Sequence, residues 1–540
     1  MAVIEPNSEI YLIKSPIELD NDNQLNFSNK TQQANYFLSL PHVSMNEATF
    51  QRKDGTVRWN QSFEDIMQYN YCMYRNKSYG DKWFYAFITD IQWLSNESSA
   101  ITIKTDVWQT WQFDLNFKPC FVEREHVNDD TFGLHTIPEG LEYGEYIVSG
   151  KGDLGSSYNF SNCYLIVQVS QLCDEMYNEW GGSIRVYGGL PQGTWFLAIY
   201  GDTNQELYTN FQNFVRSYDY NNLSNAIVAM FVAPKALVPV GAIPLSFNTE
   251  YPFDAYRVSS SDSYTTLNTY AVARNTTIDG YTPKNNKLFC SPYNYLMISN
   301  NGGTNVSYAW EEFSSSNASF TERGIVNQGC DIKLTPSNYK KTDLNGGYDW
   351  SVSRQKFPTV SWNSNFYLNW VAVNGKYQEV QATLAGLRWA GSMVGNMASG
   401  NIGGMVDSTM GLASSIANQA QQVREAKMTP DSAKGNTNTG DLNYSVGKNC
   451  FTYYKMSIKA EYARIVDNYF TQFGYKVNEL KVPNITGRPN WNYVKTHGCN
   501  IIGDIPQGDM QEIKGLFNRG ITIWHNPATF LDYSQNNQLS

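Results

Sequence analysis

Only five side chains, His42, His126, His135, His497 and His525, offer an imidazole for proton transfer near neutral pH. None stands in an HExxH pattern or in a metal-spaced pair, so each reads as a core or surface histidine and no metal site is expected. Glu123, Glu125, Glu139, Glu142 and Glu145 form an acidic run. A glycosidase would need two such carboxyls facing one sugar bond, whereas carboxylates on adjacent strands more commonly face water. Gly150-Lys151-Gly152-Asp153-Leu154-Gly155 fits GxGxxG behind the strand-like Tyr146-Ile147-Val148. A pyrophosphate site requires a helix to open there and present free N–H groups. Ser156-Ser157-Tyr158-Asn159-Phe160 leads instead toward another strand, so the motif is a glycine-rich turn. Cys72, Cys120, Cys163, Cys173, Cys290, Cys330, Cys450 and Cys499 include no CxxC pair and read as reduced thiols. Nothing here points to an enzyme or to a cofactor.

The bulk of the chain agrees. At 540 residues it exceeds a single hydrophobic core, so two to four domains are expected. Aromatic residues are 14% and charged residues 17%, which excludes a disordered chain. A mean hydropathy of −0.45 excludes a polytopic membrane protein. The net charge of −10 argues against a basic patch gripping nucleic acid. The opening MAVIEPNSEI has neither a basic nor an apolar leader region, so synthesis in a cytoplasm is expected.

The elements that would position these residues are mainly β with some α. Lys82 to Ile91 and Ala100 to Thr105 read as strands joined by a turn at Ser95–Ser98, and Cys163 to Val169 and Trp195 to Tyr200 as further strands. Gln205 to Tyr218 has a helical face of Leu207, Phe211, Phe214, Val215 and Tyr218, with Asn204 as its cap. Ser457 to Phe473 repeats that period through Ile458, Tyr462, Ile465, Tyr469 and Phe473 and stops at Gly474. Composition and turn spacing divide the chain into 1–150, 151–245, a β-rich insert at 246–350, a return at 351–380, an unusual segment at 381–443, and 444–540.

That segment has its own physics. Trp389 is the only aromatic between Tyr377 and Tyr444, and 389–406 carries no charge between Arg388 and Asp407. It is barely long enough to span a bilayer as a helix, which takes about 20 residues. Gly391-x-x-x-Gly395 and Gly400-x-x-x-Gly404 would let helices approach closely in lipid. Its apolar side chains, Leu384, Leu387, Trp389, Met393, Val394, Met397, Ile402, Met405, Val406, Met410 and Leu412, are the candidates for membrane contact.

Two blocks resemble a known family. The first runs from Tyr79-Gly80-Asp81-Lys82-Trp83-Phe84 through Asp106-Val107-Trp108-Gln109-Thr110-Trp111 and Val122-Glu123-Arg124-Glu125-His126 to Thr136-Ile137-Pro138-Glu139-Gly140. The second comprises Ile458-Lys459-Ala460-Glu461-Tyr462, Gly474-Tyr475-Lys476-Val477-Asn478, Gly503-Asp504-Ile505 and Gly520-Ile521-Thr522-Ile523-Trp524-His525. Both are similar to tail knob, or distal tube, proteins of short-tailed salasvirus-like phages of Gram-positive bacteria. The resemblance implies tail-tube-like β-barrel or sandwich domains with a β-rich insert and a long flexible hydrophobic loop. It implies a virion tail protein forming a homo-hexamer, in contact with the lower collar or upper tube and with the tail tip. Genomic DNA would pass through the lumen without specific binding. The loop, falling on 381–443, would plug the channel and then penetrate the host cytoplasmic membrane. The rival reading is a tail receptor-binding protein, with a cell-wall glycan on the β-rich insert.

Overall fold

Alternation of apolar residues sets the first sheet. In Ser8–Ile13 and Tyr71–Asn76 successive side chains turn to opposite faces, so Ile10, Leu12, Cys72 and Tyr74 enter one core while Ile13, Tyr71 and Met73 enter another. The structure, a computed structural model, describes residues 8–48, 53–76, 80, 82–154, 163–174, 176–177, 194–202, 204–221, 223, 226–238, 245–247, 250–258, 265–300, 305–326, 331–339, 360–363 and 451–539. It divides into two units, one of Met1–Glu145, Gly280–Tyr293 and Lys459–Ser540, the other of Tyr146–Asp279 and Asn294–Ile458.

In the first unit a six-stranded antiparallel sheet has the order His42–Ala48, Ser8–Ile13, Tyr71–Asn76, Phe84–Ser95, Ser98–Thr105, Thr56–Trp59. Helix Lys30–Ser39, capped by Asn29 accepting the Gln32 N–H at 2.9 Å, lays Phe37 flat on Tyr71 with ring centroids 5.3 Å apart. A second sheet orders Asn23–Leu25, Ile521–Trp524, Trp491–His497, Cys120–Glu125 and Tyr475–Lys481. Its Trp491 and Trp524 join the Phe37–Tyr71 core. Val494, Ile521 and Ile523 turn to the opposite face, where helix Gln507–Arg519 covers them with Ile513, Leu516 and Phe517. Ile501–Gly503 pairs with Leu115–Phe117 beside it.

Among the described residues the second unit holds three antiparallel sheets. One orders Tyr146–Leu154, Phe451–Ile458, Asn294–Ser299 and Asn305–Ala309. Another orders Ile227–Pro234, Cys163–Val169, Trp195–Ile199, Phe253–Arg257 and Leu245–Phe247. Helix Asn204–Tyr220 buries Phe211, Phe214, Val215 and Tyr218 there, Phe214 meeting the Phe253 ring edge-on at 5.4 Å. The third orders Thr265–Ala273, Asn317–Ile325, Asp331–Pro336 and Val360–Asn363.

The fold is mainly β with some α, as the sequence implied. Three local readings need correction. Ser457 and Ile458 end strand Phe451–Ile458, and the helix starts later, at Ala460–Phe473. Its buried face is Ala463, Val466, Asp467 and Phe470, while Ile465 is 64% exposed. Asn204 lies inside its helix, not before it. The GxGxxG motif is not a turn at its first two glycines: Gly150 and Gly152 sit within strand Tyr146–Leu154, opposite Lys455 and Tyr453, where they make room for cross-strand side chains.

Candidate functional site

The two resembling blocks meet at strand Cys120–Glu125, which pairs with Trp491–His497 on one side and Tyr475–Lys481 on the other. The strand buries Arg124 and Glu125 as well as Val122, and ions taken from water need partners. Arg124 Nη1 donates to the Gly474 carbonyl at 2.7 Å, while Nη2 pairs with Glu139. The second Glu139 oxygen takes Lys287 Nζ and accepts the Lys476 N–H at 3.0 Å. Burial pulls the Lys287 pKa down against the opposing pull of Glu139. One fully buried carboxylate therefore ties the 126–145 stretch to two strands and to Gly280–Tyr293. Gly474 closes the approach: its φ is +65°, and a Cβ there would collide with the Glu125 carbonyl.

Two more carboxylates hold the Gly280–Tyr293 segment. Asp467 Oδ2 accepts the Tyr281 hydroxyl at 2.6 Å and the Lys284 N–H at 2.7 Å, and its Oδ1 accepts the Asn285 N–H at 3.1 Å and side-chain amide at 2.8 Å. Asp130 accepts the Tyr475 hydroxyl at 2.6 Å and the Asn286 N–H at 2.9 Å, and burial raises its pKa. A third network lies between the two sheets. Asp106 caps helix Val107–Trp111 through the Gln109 N–H at 3.0 Å, and accepts the Tyr71 hydroxyl at 2.9 Å and the Gln24 amide at 3.2 Å. Gln109 returns a bond to Gln24 Oε1 at 2.8 Å, and Gln33 donates to Gln109 Oε1 at 2.8 Å. Burial pushes the Asp106 carboxyl up to about 6, opposed by these donors.

The sequence candidates fall out as follows. His126 is buried: its Nδ1 accepts the Tyr493 N–H at 2.7 Å, which leaves Nε2–H to donate to the Thr471 carbonyl at 3.0 Å. Burial, with Arg488 nearby, lowers its pKa to about 3, so the ring is neutral at any ordinary pH. His525 is held by Asn492 Oδ1 at 3.0 Å and lowered by burial to about 4. Of the acidic run, Glu123 pairs with Lys495 at 2.9 Å, Glu125 with Lys481 at 2.6 Å and Glu145 with Lys459 at 3.1 Å, Glu139 sits in the cluster above, and Glu142 faces water. Among the described residues, no three His, Cys, Asp or Glu side chains gather to hold a metal. No helix among them is long and apolar enough to cross a membrane. Leu384, Leu387, Trp389, Met393, Val394, Met397, Ile402, Met405, Val406, Met410 and Leu412 lie outside the described residues.

Chemically the arrangement locks backbone segments together, because its carboxylates and imidazoles are already engaged by donors and acceptors of the fold. Sequence reasoning missed Asp106, Asp130, Lys287 and Asp467. Only Asp467 left a signal: it sits four residues after Ala463 and three before Phe470, a charge on the apolar face of its own helix.

Comparison with known proteins gives the following. A family model described as Bacillus phage phi29, tail knob protein gp9, C-terminal domain, matches residues 254–538. A model of the caudoviral major tail protein N-terminus matches residues 6–116. The tail knob protein gp9 of Bacillus phage B103 is 28% identical, with 95% of each chain covered. That of Bacillus phage phi29 is 26% identical, with 97% of each chain covered. The solved structure of the bacteriophage C1 tail knob protein gp12 superposes with a TM-score of 0.60 over 99% of this chain and 100% of that one, at 14% identity. That last likeness is one of fold.

Proposed function

The chain belongs to the phi29 gp9 family of phage tail knob proteins and is a structural component of the virion tail, and from that premise we propose that six copies close into a ring around the channel through which the genome leaves. The ring sits at the distal end of the tail, below the lower collar or upper tube and against the tail tip. DNA slides through without specific binding, since fixed cations on the wall would hold phosphate at every step. A net charge of −10 fits such a wall.

The observation that carries the finer reading is the uncharged stretch 389–406 inside a protein of a tail family. Six such segments plug the channel before ejection, and small residues with methionines suit a plug that must come apart. On release they enter the host cytoplasmic membrane. The test is the double variant Val394→Asp, Met397→Asp, which adds roughly 2.5–3.5 kcal/mol per charge at mid-membrane in each copy. Particles should assemble and adsorb, while liposome leakage and genome delivery fail. Leakage and infection at the unmodified level would reduce the segment to a linker. Lost adsorption from intact particles would favour a glycan-binding role instead.

A further inference from the structure

The outer half of one hairpin in the first unit stands without cover. Strand Phe84–Ser95 pairs with Tyr71–Asn76 only from Phe84 to Phe87. Its other neighbour, Ser98–Thr105, runs beside it up to the turn. Among the described residues, therefore, no strand lies along the second edge of the stretch from Thr89 to Ser95. That stretch carries Trp93, 60% exposed, and the exposed Leu94 next to it. Exposed Met67 follows the short helix Phe63–Ile66, whose Ile66 belongs to the core cluster that Ile88 and Ile91 pack against. An open strand edge bearing apolar side chains is a surface for another chain. It is also acidic: residues 88–98 include Asp90 and Glu97 and no lysine or arginine, and helix Phe63–Ile66 adds Glu64 and Asp65.

A second apolar surface lies on the other sheet of the same unit. Phe121 stands opposite Leu480 on one side and His497 on the other, so the three form a row across the sheet. All three are exposed, and Leu480, at 77%, is the most exposed large hydrophobic side chain among the described residues. Exposed Val482 extends the row just past the edge strand Tyr475–Lys481. Lysines flank it. Lys481 reaches in to buried Glu125 while part of its side chain stays in water, and exposed Lys118 lies three residues before Phe121. Glu479 is the carboxylate beside Lys481.

Resting on the ring reading above, we propose that these surfaces are the two halves of one contact between neighbouring copies: Trp93 and Leu94 of one copy seat on Phe121, Leu480 and Val482 of the next. Like charge keeps the acidic hairpin from docking on itself, and the lysines beside the row make the row its complement. The two halves are different surfaces, so the contact runs head to tail, and a rotation that closes it makes a ring. A tryptophan set among apolar anchors is the kind of centre that carries most of the binding in an interface.

The experiment weighs purified full-length protein by native mass spectrometry and light scattering. The unmodified chain should give rings. Trp93→Glu with Leu94→Glu, and separately Leu480→Glu with Val482→Glu, should keep their circular dichroism, since all four side chains are exposed. Each should stay monomeric at concentrations about thirtyfold above those at which the unmodified ring forms. Mixed together, the two variants should form dimers and stop there, because one supplies an intact row and the other an intact hairpin. In assembled tails, a chain carrying Trp93→Cys with Leu480→Cys should give, on mild oxidation, a ladder of linked subunits that neither single substitution gives. Rings from either variant, a mixture that stays monomeric, or no ladder would each overturn this contact and leave the ring standing. Unmodified protein that is monomeric both in solution and in the tail would overturn the two together.

Discussion

Replacing Asp106 by asparagine should stabilise the protein at pH 8, although the carboxylate makes hydrogen bonds to Gln24, Tyr71 and Gln109. The side chain is fully buried with no cation among those partners, and burial raises its pKa from 3.8 to about 6. For an acid raised in this way, the stabilisation is complete below the unfolded value and is lost as pH rises through the folded one. At pH 8 the ionised group costs roughly 3 kcal/mol, because a tenfold change in acidity is worth about 1.36 kcal/mol. Asparagine keeps an oxygen for the helix cap and turns an amide toward the Tyr71 hydroxyl, a misfit costing about 1 kcal/mol. The expected net gain is roughly 2 kcal/mol at pH 8. It should shrink by about 1.4 kcal/mol for each pH unit from 6 toward 4, where the native carboxyl protonates. Urea unfolding followed by tryptophan fluorescence at pH 8, 6 and 5 reads this directly. A variant destabilised equally at all three would show that the hydrogen bonds outweigh the desolvation, and the reasoning would fail.

His126 and His525, lowered from 6.5 to about 3 and about 4, run the opposite way. Their stabilisation is full above 6.5 and falls by up to about 1.4 kcal/mol per pH unit for each below it, so thermal melts from pH 7 to pH 4 should drop steadily, and more steeply in Asp106→Asn. Glu139→Gln leaves Arg124 and Lys287 buried without their carboxylate and should cost roughly 3–5 kcal/mol, measured as a lowered urea midpoint. Gly474→Ala must force a positive φ and move the Glu125 carbonyl, so it should cost at least about 1–2 kcal/mol and speed proteolysis near that turn. Gly280→Ala, at φ +77° but with open space around its Cβ, should cost about 1 kcal/mol by backbone strain alone, separating the two effects.

What the sequence disclosed depends on how far each decision reaches along the chain. Strand Cys163–Val169 and the buried face of helix Asn204–Tyr220 were readable because residues within a few places of each other decide them. Ser457 and Ile458 fit a helical period equally well, and what makes them a strand is pairing with Ile147 and Tyr146, about three hundred residues earlier. No local window contains that partner. The same holds for the locking cluster: Glu139 looked like one of several solvated acids, and only the return of Gly280–Tyr293 with Lys287 buries it. The membrane-contact candidates could be read as composition and nothing more, since they fall outside the described residues.

Asp106, Glu125 and Asp467 suggest a more general rule for reading such chains. Asp467 alone stands on a face that the local pattern would bury, yet all three are buried because donors arrive from another part of the sequence: Gln24 and Tyr71 for the first, Lys481 and Asn484 for the second, Tyr281 and Asn285 for the third. Burying a carboxylate costs more than any local preference returns, so it persists only where distant segments supply its partners. A charge on an apolar face is then a record of a long-range joint. In this protein three such joints fasten segments that local periodicity could identify but could not connect.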